Sequence, residues 1–231
     1  MSYLRFVCLL ASTLTTAAVL MAVAQSPALQ RGVSVQMAVT SNAQPVPSAD
    51  DEDAWVVTVT DTGKLFFGAR AVTSAELMEE MKINPRRRDQ TLYIKADARA
   101  PFADVKMALD AARVGLFDTP VLLTAQPEHP QPGTMVQPKG LPVRLSPPAS
   151  SEAMVVEVHA PAAELPAVEV NHQQIPWQDL HNNLIQILQN RSEKLVVVTA
   201  DDQLPFAQVA RVIDVCRSTG ATVLSPEPRN Q

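Results

Sequence analysis

Four aspartates carry the residue type and spacing in this 231-residue chain that could do chemistry. Asp97 and Asp201 lie 104 positions apart, and so do Asp110 and Asp214. Carboxylates repeated at one offset could form a paired acid/base site, in which two acids hold and accept a proton across a substrate. No nucleophile, base or second acid recurs beside them. Asp97 and Asp201 each follow an apolar run and precede a helix start, where a carboxylate accepts backbone N–H bonds and organises a loop. Both are therefore read as structural loop acids. No catalytic residue is assigned, and the chain reads as a non-enzyme.

The other chemistry-bearing residues lead to the same answer. His129, His159, His172 and His181 show neither an HExxH motif nor paired-ligand spacing, so they read as exposed polar positions, His172 in a turn and His181 on a helix. No metal and no cofactor is expected. Seven glycines in 231 residues leave little room for a phosphate loop, a dinucleotide fingerprint or a G-x-S-x-G elbow, and none occurs. Cys8 lies in an apolar segment and Cys216 on a helix face, which predicts packing roles and no internal disulfide. A net charge of -5 argues against a nucleic-acid surface. The one basic run, Arg86 to Arg88, reads as a solvated loop.

What positions the aspartates is an internal repeat. KADARAPFADVKMALD from Lys95 and TADDQLPFAQVARVID from Thr199 align without a gap, identical at seven of sixteen positions. Self-similarity at this period means one structural unit used twice. Residues 54–126 form the first unit: WVVTVT from Trp55 and Leu65–Phe67 as a hairpin around Asp61-Thr62-Gly63-Lys64, a helix from Thr73 or Ser74, and a strand from Leu92 to Lys95. A helix from Pro101 with Phe102, Val105, Leu109 and Ala112 inward follows, then a strand from Val121 to Thr124. Residues 153–226 repeat this order with strands Met154–Val158 and Val168–Val170, helix Trp177–Leu188, strand Leu195–Thr199, helix Pro205–Arg217 and strand Thr222–Ser225. The fold class is α+β, each unit reading β-β-α-β-α-β.

Between the units, residues 127–152 form a linker whose proline density excludes helix and central strand. Its end carries Leu141, Val143 and Leu145, echoing Val33, Val35 and Met37 in the polar tether at 25–53. Residues 227–231 read as a disordered tail. At the N-terminus, Phe6 to Ala24 is a run of nineteen residues without a charge. Two readings stand. The run is long enough for a single transmembrane helix with Arg5 on the cytoplasmic side, and Ala22-Val23-Ala24 has the small-x-small pattern of a signal-peptidase site. Either way the rest of the chain is exported.

Anchor, V-x-V-x-(hydrophobic) tether, hairpin, helix, strand, A-D-x-x-x-P-F turn, amphipathic helix and closing strand together resemble the ExbD/TolR family. LYIKADARAPFADVKMALDAARVG and LVVVTADDQLPFAQVARVIDVCRSTG each look like the family's most recognisable block. The resemblance implies a single-pass protein of the cell inner membrane with periplasmic domains. It also implies a proton-channel partner of the ExbB/TolQ type, a TonB/TolA-like transducer engaged by the tether (Val33, Val35, Met37, and Leu141, Val143, Leu145), and homo- or hetero-oligomers with similar chains. Family members carry an Asp inside the transmembrane helix, whereas Phe6 to Ala24 holds neither Asp nor Glu. Ser12, Thr13, Thr15 and Thr16 are the polar residues near that place, and a hydroxyl does not titrate near neutral pH. The expectation is an accessory member of a proton-motive-force-driven complex. The competing expectation is a soluble periplasmic scaffold that binds peptide or peptidoglycan after cleavage behind Ala24.

Overall fold

The computed structural model describes residues 33–84, 89–126, 136–145, 153–160 and 165–226. The segment 1–24, the start of the tether, the Arg86 to Arg88 run, the flanks of the proline-rich stretch and the tail at 227–231 lie outside the described residues. Among the described residues no helix is long and apolar enough to cross a membrane.

The architecture is α+β. The first half runs β1 (Gln44–Pro45), a 3-10 turn (Pro47–Asp50), β2 (Trp55–Val59), β3 (Leu65–Phe67), β4 (Arg70–Val72), α1 (Ser74–Ile83), β5 (Leu92–Ala96), α2 (Phe102–Val114) and β6 (Val121–Thr124). After β7 (Lys139–Pro142) and β8 (Arg144–Leu145), the second half runs β9 (Met154–His159), β10 (Ala167–Val170), β11 (Gln173–Ile175), α3 (Trp177–Leu188), β12 (Leu195–Ala200), α4 (Phe206–Ser218) and β13 (Thr222–Ser225). One sheet has the order β1-β7-β6-β5-β2-β3-β4, the other β11-β10-β9-β12-β13-β8. Stripped of β1, β7 and β8, the two orders are identical. Each half thus has one strand more than the sequence reading gave it. β4 and β11 escape notice because each is three residues long with a single buried side chain, Val72 or Ile175, too little for a visible alternation.

Local chemistry sets the helices. Thr73 caps α1 reciprocally: its hydroxyl accepts from the Glu76 N–H at 3.2 Å while the Glu76 carboxylate accepts from the Thr73 N–H at 2.7 Å. Pro101 and Pro205 stand at the N-caps of α2 and α4, where a missing donor costs nothing. Phe102, Val105 and Leu109 on α2, with Phe206, Val209 and Ile213 on α4, enter one continuous apolar core that spans both halves.

The two sheets differ in how they are covered. β5 and β6 are buried on both faces, because residues around Val46, Ala49 and Ala54 close over Val56, Tyr93, Val121 and Leu123. β9 alternates buried and half-buried along its length, the pattern of a sheet packed on one face only. Glu157, His159 and Glu169 lie on that partly open face.

The halves meet around an approximate two-fold between Pro101 and Pro205, which form a β-bridge. Phe102 N–H donates to Leu204 O at 2.9 Å and Phe206 N–H to Ala100 O at 2.8 Å; Ala103 N–H donates to Asp202 O and Ala207 N–H to Ala98 O, both at 2.9 Å. These four bonds form two equivalent pairs at the repeat offset, which is the isologous geometry of a dimer built inside one chain. Lys106 adds an ion pair to Asp202.

The proline-rich stretch is not uniformly outside the sheets. β7 lies between β6 and β1, so the expectation that this stretch excludes a central strand fails. Pro142 is tolerated because β1 pairs only with Lys139 and Gly140, leaving Pro142 one neighbouring strand. Gly140 is required by close approach, since a Cβ there would sit 2.4 Å from Val121 Cγ1 and 2.8 Å from Leu122 O. The chain then crosses to the other sheet, where β8 pairs parallel with β13.

Candidate functional site

Asp97 follows β5 and ties three segments together. Its N–H donates to Val59 O at 2.8 Å, fixing it to the end of β2. The carboxylate accepts from the N–H of Gln36 at 3.0 Å and of Arg99 at 3.0 Å, and from the Arg99 guanidinium at 2.9 and 3.2 Å. Arg99 also reaches Asp61 at 3.3 Å. The Arg99 guanidinium, with the two backbone donors, holds the Asp97 carboxyl below its ordinary value against the opposing effect of burial. The result is a charged clamp on the tether.

Through this clamp residues 36–40 cross the ends of the strands. Met37 bridges Asp97 in antiparallel sense and Val39 bridges Ala125 in parallel sense. Ala98 N–H donates to Gln36 O at 2.7 Å, Ala125 N–H to Ala38 O at 2.8 Å and Thr40 N–H to Ala125 O at 3.0 Å. The groups that pair inward thus belong to Gln36, Ala38 and Thr40. Alternation turns the N–H and C=O of Met37 and Val39 the other way, and among the described residues nothing pairs with them. Ala38 and Thr40 are buried, Val33, Val35 and Met37 are half-buried, and Val39 is half exposed. A shallow depression of about 430 Å³ runs alongside, lined by Ser34, Val35, Gln36, Thr60, Asp61, Asp97 and Arg99. Chemically this is an open strand edge with apolar side chains beside an anchored charge pair.

The remaining sequence-derived positions fall elsewhere. Leu141, Val143 and Leu145 are buried by the chain itself, with Val143 N–H on Pro120 O and Leu145 N–H on Asp118 O at 2.9 and 2.8 Å. Asp201 accepts from Ala160 N–H at 3.2 Å and lies 3.4 Å from His159 Nδ1. Ser12, Thr13, Thr15, Thr16, Cys8 and His129 lie outside the described residues.

Asp110 and Asp214 work between the halves. Asp214, buried on α4, accepts from Ser41 N–H at 3.0 Å, Asn42 N–H at 2.9 Å and Asn42 Nδ2 at 3.1 Å, so a second-half helix holds the N-terminal segment. Asp110 orients Arg113, whose guanidinium donates to Pro226 O at 2.6 Å. Arg99, Asp61 and Gln36 were missed by sequence reasoning. The Asp97-x-Arg99 spacing was available as a signal, while the Gln36 contact comes from tertiary folding alone.

The model of the biopolymer transport protein ExbD/TolR family matches this chain twice, over residues 17–126 and 122–225. No curated protein and no solved structure matches significantly. The two matched segments correspond to the two halves of the fold, and together they span most of the sequence. The chain belongs to the ExbD/TolR family of biopolymer transport proteins.

Proposed function

We propose that this chain is a membrane-anchored, periplasmic component of a proton-motive-force-driven transport complex, and that its tether edge docks an energy-transducing partner. The observation that carries the reading is the open edge at Met37 and Val39, held at the ends of β2, β5 and β6 by Asp97 and flanked by Val33 and Val35. An extended partner segment would add main-chain bonds there, and the alternate apolar side chains would select its sequence. Family membership supports a role in transport alongside a channel subunit of the ExbB/TolQ type and a TonB/TolA-like transducer. Since the segment Phe6 to Ala24 lacks a carboxylate, the reading makes this an accessory chain, with another subunit supplying the proton-responsive acid.

Photo-crosslinking from position 35 in full-length chain in its own membranes tests the docking edge. A crosslink to a periplasmic transducer that disappears on Met37→Glu supports the reading. A crosslink unaffected by Met37→Glu, or none to any envelope protein, defeats it.

A further inference from the structure

On the partly open face of the second sheet, Glu157 and Glu169 stand directly opposite each other on β9 and β10. Like charges placed in this way oppose pairing. His159 follows two residues along β9, on the same face. One ligand atom from each of Glu157, His159 and Glu169 can be chosen so that all lie within 4.8 Å of one another. His159 Nε2 is 4.0 Å from Glu157 Oε2, while its Nδ1 faces Asp201 at 3.4 Å. Asp201 is itself fixed by the Ala160 N–H. A carboxylate on Nδ1 with Nε2 facing the Glu157 carboxylate is the carboxylate–histidine arrangement of metal sites, in which the outer acid sets the tautomer and ring orientation.

The internal repeat sharpens the comparison. Aligning β2 with β9 and β3 with β10 puts Thr58, Thr60 and Phe66 where Glu157, His159 and Glu169 stand. Asp97, the counterpart of Asp201, is committed to Gln36 and Arg99. One half of the duplicated fold therefore has the donors, and the other has the tether clamp.

We propose that Glu157, His159 and Glu169 bind a divalent transition ion of the zinc type, with Asp201 orienting His159. One imidazole with two carboxylates suits a borderline ion better than magnesium or calcium, which favour all-oxygen shells. His172 Nδ1 lies 3.5 Å from Glu157 Oε2, on the two-residue turn between β10 and β11, beside the three-residue cluster and outside it. Both turn residues, Asn171 and His172, have positive φ, at 50° and 67°, the primed-turn geometry that normally recruits glycine. The ion would pin the β9–β10 hairpin to the loop after β12.

The test is titration of the full-length, detergent-purified chain, stripped by EDTA, with Zn²⁺ by calorimetry and with Co²⁺ by visible absorption. The expected result is uptake of about one equivalent with intense tetrahedral d–d bands. His159→Ala and Glu169→Gln should abolish it, Asp201→Asn should weaken it about 10- to 100-fold, and His181→Ala should leave it unchanged. Unfolding curves of the stripped variants guard against misfolding, and Glu169→Gln, which removes the like-charge pair, should be no less stable than the parent. Absence of uptake overturns the proposal, as does uptake that survives both His159→Ala and Glu169→Gln in folded protein.

Discussion

Replacing Asp214 by alanine should detach the N-terminal segment from the second half. The carboxylate is 6% exposed and receives the backbone N–H groups of Ser41 and Asn42 and the Asn42 amide. Hydrogen bonds to a charged group contribute about 1.5–3 kcal/mol each, and a donor left buried without a partner costs a comparable amount. Because the bonds share one acceptor, they do not add in full. Asp214→Ala should therefore cost about 3–4 kcal/mol, and Asp214→Asn, which keeps one acceptor oxygen, about half as much. Urea unfolding of the full chain gives the global loss. Amide hydrogen exchange gives the local one: the Ser41 and Asn42 amides should exchange about two to three orders of magnitude faster, while β12 amides change only as far as global stability does. Asp110→Ala is the control, since it loosens Arg113 from Pro226 at the other end of the pseudo-symmetric pair. Unchanged exchange at Ser41 and Asn42, with a stability loss under about 0.5 kcal/mol, would refute the assignment of Asp214 as the tie between the N-terminal segment and the second half.

Three further outcomes follow. Asp97 has a folded pKa below its usual 3.8, so its contribution is complete above that value and is lost as pH falls through the folded pKa. Asp97→Asn should cost about 2–3 kcal/mol at neutral pH, the gap to the parent narrowing below about pH 4 in acid-unfolding curves. Gly140→Ala should destabilise by about 1–3 kcal/mol, and Val121→Ala should rescue it only in part, because the Leu122 carbonyl still opposes the new Cβ. Burial pushes the Cys216 thiol up to about 12, so in a Cys8→Ser background iodoacetamide at pH 8 should label the chain only once denaturant is added.

The repeated strand-turn-helix block was legible because its signals are local. Pro101 and Pro205 mark helix starts, and Phe102, Val105 and Leu109 repeat at helical spacing. The fused architecture was not legible, because the four bonds around Pro101 and Pro205 use backbone atoms that leave no mark on residue type. β7 was hidden by Pro138 and Pro142, whose effect depends on which neighbours a strand has. Burial of Leu141, Val143 and Leu145, which the sequence aligned with the first tether, follows from β7 and β8 entering two different sheets. His159 and Glu169 carry no motif spacing; only the β9–β10 register brings them together. The pairing of Val-Glu-Val runs in the two strands of that hairpin was the signal available.

We propose that this family member works in the membrane as part of a proton-channel complex. Carbonate extraction of native membranes, followed by N-terminal sequencing and affinity purification of the chain, tests it most directly. The expected result is chain retained in the membrane fraction, intact through Phe6 to Ala24, together with a polytopic channel subunit. Recovery of soluble chain beginning at Gln25, with no channel subunit attached, would contradict it.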